Sequence, residues 1–197
     1  SLNEVRWQST PDGGISNFYY DRLGRMAVSQ NAEQANQSPL DYSYTTYDDL
    51  GRITGFKCSG DSCARTLFGE RLLGSSYTYD NTYNKLLTVT QSLEGDKSRT
   101  ISYAYKNADP TQVTDINYSD KGDTSLSYDK NGNVDSMSAL SSQGKVDKYA
   151  MTYDAMQRLV ELTKNDETIK YDYNALGQQI AQSVENNGQV DKRYMDN

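Results

Sequence analysis

The sequence predicts an all-β fold, a curved and continuous antiparallel sheet built from tandem β-hairpins. Three observations predict it. A Tyr-Asp motif with turn chemistry recurs along the whole chain, the residues ahead of each copy alternate between aromatic and small polar side chains, and no stretch carries a convincing helical period.

The copies run in order. YDRLGRM starts at Tyr20, YDDLGRI at Tyr47, YDNTYNKL at Tyr79, a worn YKNADPTQV at Tyr105, YDKNGNV at Tyr128, YDAMQRL at Tyr153 and YNALGQQI at Tyr173. The steps between them are 27, 32, 26, 23, 25 and 20 residues, an irregular repeat of the length of one supersecondary unit. Ahead of the motif stand DYSYTTYD, SSYTYD, ISYAY, KYAMTYD and IKYDY, whose period of two places rings on one face and Ser, Thr or Lys on the other. The motif is then a corner. Asp21, Asp48, Asp80, Asp129 and Asp154 cap backbone N–H groups two residues on, and Gly24, Gly51, Gly132 and Gly177 supply the positive φ of a longer hairpin loop. Return strands follow at once as GRMAV, GRITGF, KLLTVTQ, NVDSM and RLVELT, giving about 16 short strands.

Between strands, the polar run Ser29 to Asp41 is the longest expected loop, and Pro110 in NADPTQ marks a second break because proline cannot donate to a ladder. The units fall near 16–40, 41–74, 75–97, 98–122, 123–146, 147–166 and 167–185 of a single domain, 1–197. A lone hairpin is unstable in water, so the units must pair edge to edge, each relying on its neighbours.

Composition bounds the function. Val, Ile, Leu and Phe number only 33, a poverty typical of disorder, yet the net charge is a modest −7 and 17 tyrosines stand against one Trp and three Phe. The reading is an ordered protein whose apolar surface is carried by tyrosine, a ring that buries well while keeping a wet hydroxyl. Acidic balance excludes a phosphate-backbone ligand, so nucleic acid is not an expected partner. No apolar run reaches a membrane span. A start without Met or a signal sequence reads as a piece of a larger protein.

Candidate chemistry is sparse. With no His, Ser-His-Asp and Cys-His mechanisms are out, and so is the commonest metal ligand. Asp129, Asn131, Asn133 and Asp135 set oxygens at alternate positions like the start of a calcium loop. Gly132, however, stands fourth where an EF-hand places it sixth, and the twelfth residue is Leu140 rather than Glu, so a turn is the favoured reading. Paired carboxylates such as Asp48 and Asp49 could serve a glycosidase, but an active site is not copied once per repeat. Arg25, Arg52 and Arg158 share one repeat position and are expected to pair with a neighbouring repeat's acid. Cys58 and Cys63 flank Ser-Gly-Asp-Ser, which either brings the sulfurs within disulfide reach or leaves two thiols in a surface loop. No cofactor is called for, and no enzyme activity is expected. The tyrosines serve as core and stacking rings, with surface glycans as the alternative ligand; Trp7 stands outside the repeat pattern.

Tyr-Asp-x-x-Gly-Arg-Leu with tyrosine alternation ahead of it resembles the YD-repeat, or RHS-repeat, family over roughly residues 16–180, most closely at Tyr20, Tyr47 and Tyr128. In that family, runs of such hairpins spiral into a hollow shell. Bacterial toxin-complex and polymorphic-toxin members enclose a variable C-terminal toxin, and animal teneurins use a related shell for adhesion. The resemblance implies an arc of such a shell from a secreted or surface protein. Its partners would be further YD repeats, of the same or a partner subunit, and an enclosed toxin polypeptide. Bacterial shells end in an autoproteolytic Asp-Pro motif; here the one Asp-Pro is Asp109-Pro110, inside a repeat and followed by Thr-Gln, and the activity is not carried over.

Overall fold

A computed structural model of the chain describes residues 4–37, 41–186 and 188–195. Its strands hydrogen-bond in sequence order, from the first to the sixteenth, in one open sheet. The chain divides into two compact units, Ser1–Ser102 with Tyr118–Asp120, and Tyr103–Asn117 with Lys121–Asn197.

The first unit holds β1 (Trp7–Thr10), β2 (Gly14–Tyr20), β3 (Met26–Gln30), β4 (Ser43–Tyr47), β5 (Ile53–Cys58), β6 (Leu72–Tyr79) and β7 (Leu86–Leu93). β8 (Lys97–Ala104) and β9 (Asp115–Tyr118) run across the division. The second unit continues with β10 (Asp123–Tyr128), β11 (Val134–Leu140), β12 (Val146–Tyr153), β13 (Leu159–Lys164), β14 (Glu167–Tyr173), β15 (Gln179–Asn186) and β16 (Gln189–Tyr194). The ladders within each unit are antiparallel meanders, the simplest result of joining each strand to the next by a tight turn.

Period-two alternation decides what each face holds. On β12, Asp147, Tyr149, Met151 and Tyr153 are half-buried while Lys148, Ala150 and Thr152 are exposed. In the first unit the registers align a field of small hydroxyl residues on one face, with rows Ser76, Thr90, Thr100 and Thr78, Thr88, Ser102 across β6, β7 and β8. The opposite face of those strands carries Tyr77, Val89 and Ile101. Fully buried apolar residues are few among those described: Cys63, Val89, Leu93 and Ile101 in the first unit, Leu140 and Ala181 in the second. Stability therefore rests less on a packed core than on ladder hydrogen bonds and half-covered rings.

One element departs from the all-strand expectation. Within the polar run Ser29 to Asp41, Ser29 and Gln30 extend β3, and Ala32–Ala35 form a one-turn helix, α1. Asn31 caps it by accepting from the Gln34 N–H at 2.8 Å, and the Gln34 side chain accepts from the Asn31 N–H at 3.0 Å, a reciprocal capping box. Four residues are too short to leave a helical period, which is why the pattern hid it. Residues 38–40 of that run lie outside the described residues. Asp109 and Pro110 fall in the irregular connection between β8 and β9.

The turns carry the strain. Gly24, Gly51, Gly132 and Gly177 have φ between 76° and 87°, where a side chain is disfavoured. Asn84 (φ 56°) and Gln157 (φ 64°) hold the equivalent place in the repeats that lack the glycine. No atom lies within 4 Å of where a Cβ on Gly51 would stand, so a substitution there meets only backbone strain. We expect Gly51→Val to lower unfolding stability by about 1–3 kcal/mol and Gly51→Asn by clearly less. Urea melts of both variants measure this, and equal stability of Gly51→Val and the parent would contradict the turn assignment.

Candidate functional site, a clasp between successive repeats

Each Tyr-Asp corner is built by its aspartate. Asp21 Oδ1 accepts from the N–H of Leu23 at 2.8 Å and of Arg25 at 2.9 Å, while Oδ2 accepts from Arg25 Nε at 2.7 Å. Asp48 repeats the set with Leu50, Arg52 and the Arg52 guanidinium at 3.0, 2.9 and 2.6 Å. Asp154 does so with Met156, Arg158 and the Arg158 guanidinium at 2.8, 3.0 and 2.7 Å. Two backbone bonds close the loop, from Asp21 N–H to the Arg25 carbonyl at 2.8 Å and from Gly24 N–H to the Asp21 carbonyl at 3.1 Å. A register shift one residue before the corner, between Tyr19 and Tyr20, recurs at Tyr47, Tyr79, Tyr128, Tyr153 and Tyr173.

These contacts hold the carboxylates ionised. The Arg25 N–H draws the Asp21 pKa below its ordinary value, and the Arg158 N–H does the same for Asp154. Desolvation pushes Asp48 upward, but the Arg52 side chain and N–H outweigh it and the net shift is down. Where Arg is replaced by Asn133, its side-chain amide performs the same service for Asp129, donating to Oδ2 at 3.0 Å.

The arginines pair with the acid of their own turn, not with a neighbour's carboxylate. What they reach in the next repeat is a ring and a carbonyl. The Arg25 guanidinium lies over the Tyr47 ring at 4.7 Å and donates to the Asp48 carbonyl at 3.1 Å. Arg52 covers Tyr79 at 4.7 Å and donates to Asn84 Oδ1 at 2.8 Å, and Arg158 covers Tyr173 at 4.7 Å. The tyrosine hydroxyl answers. Tyr47 donates to the Met26 carbonyl at 2.8 Å, Tyr79 to Ile53 at 2.7 Å and Tyr173 to Leu159 at 2.8 Å, in each case the residue after the arginine. Tyr20, Tyr128 and Tyr153 make the equivalent bond to Val5, Val113 and Val134 at 2.7, 2.7 and 3.0 Å. Asn133 also reaches forward, to Gln157 Oε1 at 2.5 Å. In the last copy Asn174 takes the aspartate's place, accepting from Leu176 and Gln178 N–H at 2.9 and 3.0 Å beside Gly177.

Of the four oxygen-bearing residues proposed as a cation loop, Asp129 caps the N–H groups of Asn131 and Asn133 at 2.8 and 2.9 Å. Asp135 stands on β11 and bonds the Ser127 hydroxyl. Asp80 accepts from the Lys85 N–H at 2.6 Å, in a turn longer by one residue.

Two turns of the same kind went unread in the sequence because their first residue is not Asp. Thr66 to Glu70 closes with Thr66 N–H to Glu70 carbonyl at 2.8 Å and Gly69 N–H to Thr66 carbonyl at 3.0 Å, and Ser141 to Lys145 closes likewise at 2.7 and 2.9 Å. The spacing of a hydroxyl residue three before Gly69 or Gly144 was the available signal.

The Thr66 turn serves a second centre that sequence reading missed. It presents Glu70 and Phe68 to Arg99, which is only 1% exposed. Arg99 bonds Glu70 Oε1 at 2.6 Å and Asp120 Oδ1 and Oδ2 at 2.5 and 2.9 Å, with Phe68 beneath the guanidinium at 4.8 Å. Phe68 in turn meets Tyr118 edge-on at 5.6 Å. Arg99 shares the face of Ile101 on β8, a position where alternation demanded a covered side chain. Arg99 draws Glu70 from 4.5 down to about 2, and Asp120 pushes Arg99 upward. The chain enters this corner through a disulfide between Cys58 and Cys63, with Cα atoms 5.8 Å apart. Asp61 and Arg71 pair across the same loop.

No family model matches the sequence, and no curated protein is similar to it in sequence. The fold does recur among solved structures. The crystal structure of TcdB2-TccC3-Cdc42 matches at a TM-score of 0.61 and 16% identity over 91% of this chain and 10% of that one. The crystal structure of TcdB2-TccC3 matches at 0.54 and 18% over 96% of this chain and 12% of that one. That of TcdB2-TccC3-TEV matches at 0.54 and 17% over 96% and 11%. The chain thus spans about a tenth of the length of the solved chains it matches, and at these identities the likeness is one of fold.

In a double-mutant cycle, Arg52→Ala and Tyr79→Leu should couple by about 0.5–1 kcal/mol, the worth of a half-exposed cation–π contact, and additive melts would refute the clasp. Glu70 has a depressed pKa in the folded state, so its contribution is complete above about pH 4.5 and is lost as pH falls toward about 2. Acid titrations should therefore show Glu70→Gln less stable than the parent at neutral pH and the two converging at the acid end of that window. A constant gap would show that Glu70 does not act through its charge.

Proposed function

We propose that the chain is a wall segment of a YD-repeat shell that encloses a polypeptide, with a structural rather than catalytic role. The observation that carries this reading is the clasp. The same Asp-capped corner and arginine-over-tyrosine contact recur at Tyr47, Tyr79 and Tyr173, so the sheet can be lengthened by one hairpin at a time without a new design. Such a sheet covers area instead of building a core. The field of Ser and Thr hydroxyls on β6, β7 and β8 offers a surface with neither charges nor large apolar groups, suited to holding a chain without gripping it.

The fold shared with TcdB2-TccC3 supports the reading, and so does the repeat motif, which resembles that of shell-forming toxin proteins. Among the described residues no helix is long and apolar enough to cross a membrane. The disulfide fits a protein that leaves the reducing cytoplasm, so the place proposed for it is outside the cell or on its surface. Its partners would be further repeats, continuing from the edge strands β1 and β16, and the enclosed polypeptide.

The test is limited proteolysis of the full-length gene product. A cargo segment that survives protease while the repeats are folded, and is digested once denaturant opens them, is the expected result. Digestion of every non-repeat segment at the rate of the isolated peptide would overturn the proposal.

A further inference from the structure

The Ser59 to Arg71 excursion between β5 and β6 is tied to the sheet unevenly. Its second half is well fastened. Glu70 bonds Arg99 at 2.6 Å, the Arg71 N–H donates to Glu94 Oε1 at 3.2 Å, and the Glu94 N–H donates to the Arg71 carbonyl at 3.1 Å. From Ala64 the chain forms a small hairpin, in which the Leu72 N–H donates to the Ala64 carbonyl at 2.8 Å, Arg65 pairs with Arg71, and the Thr66 turn closes the tip. The first half leans on the disulfide. Ser59 donates to the Tyr42 carbonyl at 3.1 Å, and Asp61, the partner of Arg71, has a side chain that is 87% exposed. An ion pair with so wet a partner contributes little.

A further feature shows that the covalent bond keeps this half shut. The Ser62 hydroxyl sits in the ring of chain closed by Cys58 and Cys63, cut off from solvent and with no hydrogen-bond partner among the described residues. A polar group placed like this carries a cost that opening the ring to water would remove. The bond is also within reach of a reductant. Cys63 is 6% exposed, but Cys58, the last residue of β5, is only half-buried. On its protein side, Gln34 Nε2 donates to the Cys58 sulfur at 3.7 Å.

We propose that Cys58 and Cys63 form a redox latch, opened by a dithiol reductant, that governs how firmly the Ala64 to Leu72 hairpin is seated against Arg99. One thiolate of the reductant attacks the Cys58 sulfur. The disulfide breaks, and Cys63 leaves as a thiolate that takes a proton from water. The second thiol of the reductant loses its proton and attacks the mixed disulfide, so that the reductant departs as a cyclic disulfide. Cys58 leaves as a thiolate beside the Gln34 amide and is protonated in turn. Two electrons have passed to the protein. In oxidising surroundings the hairpin stays covalently tethered; in a reducing compartment it opens and uncovers Phe68 and Arg99. The latch stands apart from the enclosure reading, because it lies at the hairpin ends opposite the Tyr-Asp corners.

Hydrogen exchange of the intact chain, with and without dithiothreitol, tests it. The N–H groups of Thr66, Gly69 and Leu72, each bonded inside the hairpin, report opening, and those of Asp48 and Gly51, bonded inside a corner, serve as the reference. Reduction should speed the hairpin amides by at least about tenfold, the order expected for releasing so short a closed loop, and leave the corner amides within about twofold. Reoxidation should restore the slow rates. The double variant Cys58→Ser, Cys63→Ser should exchange like the reduced parent whether or not dithiothreitol is present. Reduced and reoxidised parent keep the result readable if that variant fails to fold. A disulfide that dithiothreitol leaves intact in the folded chain, as read from alkylation mass, would overturn the proposal, and so would hairpin amides indifferent to reduction. Corner amides that accelerate by the same factor would do so too, since the bond would then staple the whole fold and not a latch.

Discussion

A carboxylate that captures two main-chain N–H groups and a guanidinium at one stroke is the contact from which the rest of this structure follows. Asp21, Asp48 and Asp154 fix the corner, and the corner fixes the arginine. A guanidinium anchored at one end is pre-organised to lie flat, and the ring it covers belongs to the next hairpin. The local turn and the long-range contact are therefore one device. It replaces the packed core that this composition cannot supply: a handful of buried apolar side chains cannot hold so many strands, but a corner repeated along the chain can.

The same logic explains where tyrosine comes from. A phenylalanine would offer the ring but not the hydroxyl that returns to the carbonyl after the arginine. Each tyrosine is thus bonded to the preceding hairpin at its tip and covered by it on its face. Positions lacking arginine show how much is required. Asn133 keeps the capping bond and a reach toward Gln157 but provides no cation over Tyr153, and the hydroxyl bond to Val134, at 3.0 Å, is still made.

The turn was legible because Asp and Gly are chosen there for the backbone they permit, and backbone demands leave their mark on neighbouring letters. The strands were legible through the alternation ahead of each Tyr. The clasp was not, because Arg25 and Tyr47 lie 22 positions apart and nothing in either short motif names the other. Arg99 was hidden for a different reason. A lone arginine in a polar strand such as KSRTIS reads as a solvated side chain, and only the positions of Glu70 and Asp120 reveal that it is enclosed. Trp7 reads as an outlier in one dimension, and the register sets it opposite Asn17 on β2.

The fastening that recurs from repeat to repeat sits at the Tyr-Asp corners, whereas the other ends of the hairpins are held by contacts that differ from place to place, such as those of Arg99 with Glu70 and of Arg71 with Glu94. Within the first unit those ends range from the short Glu94 to Asp96 turn to the long Ser59 to Arg71 excursion with its disulfide. One margin of the ribbon is held to a template while the other is open to improvisation. That asymmetry accounts for steps as uneven as 20 and 32 residues in a chain whose corners recur, and it makes the opposite margin the place where the length of the chain can vary while the corners stay the same.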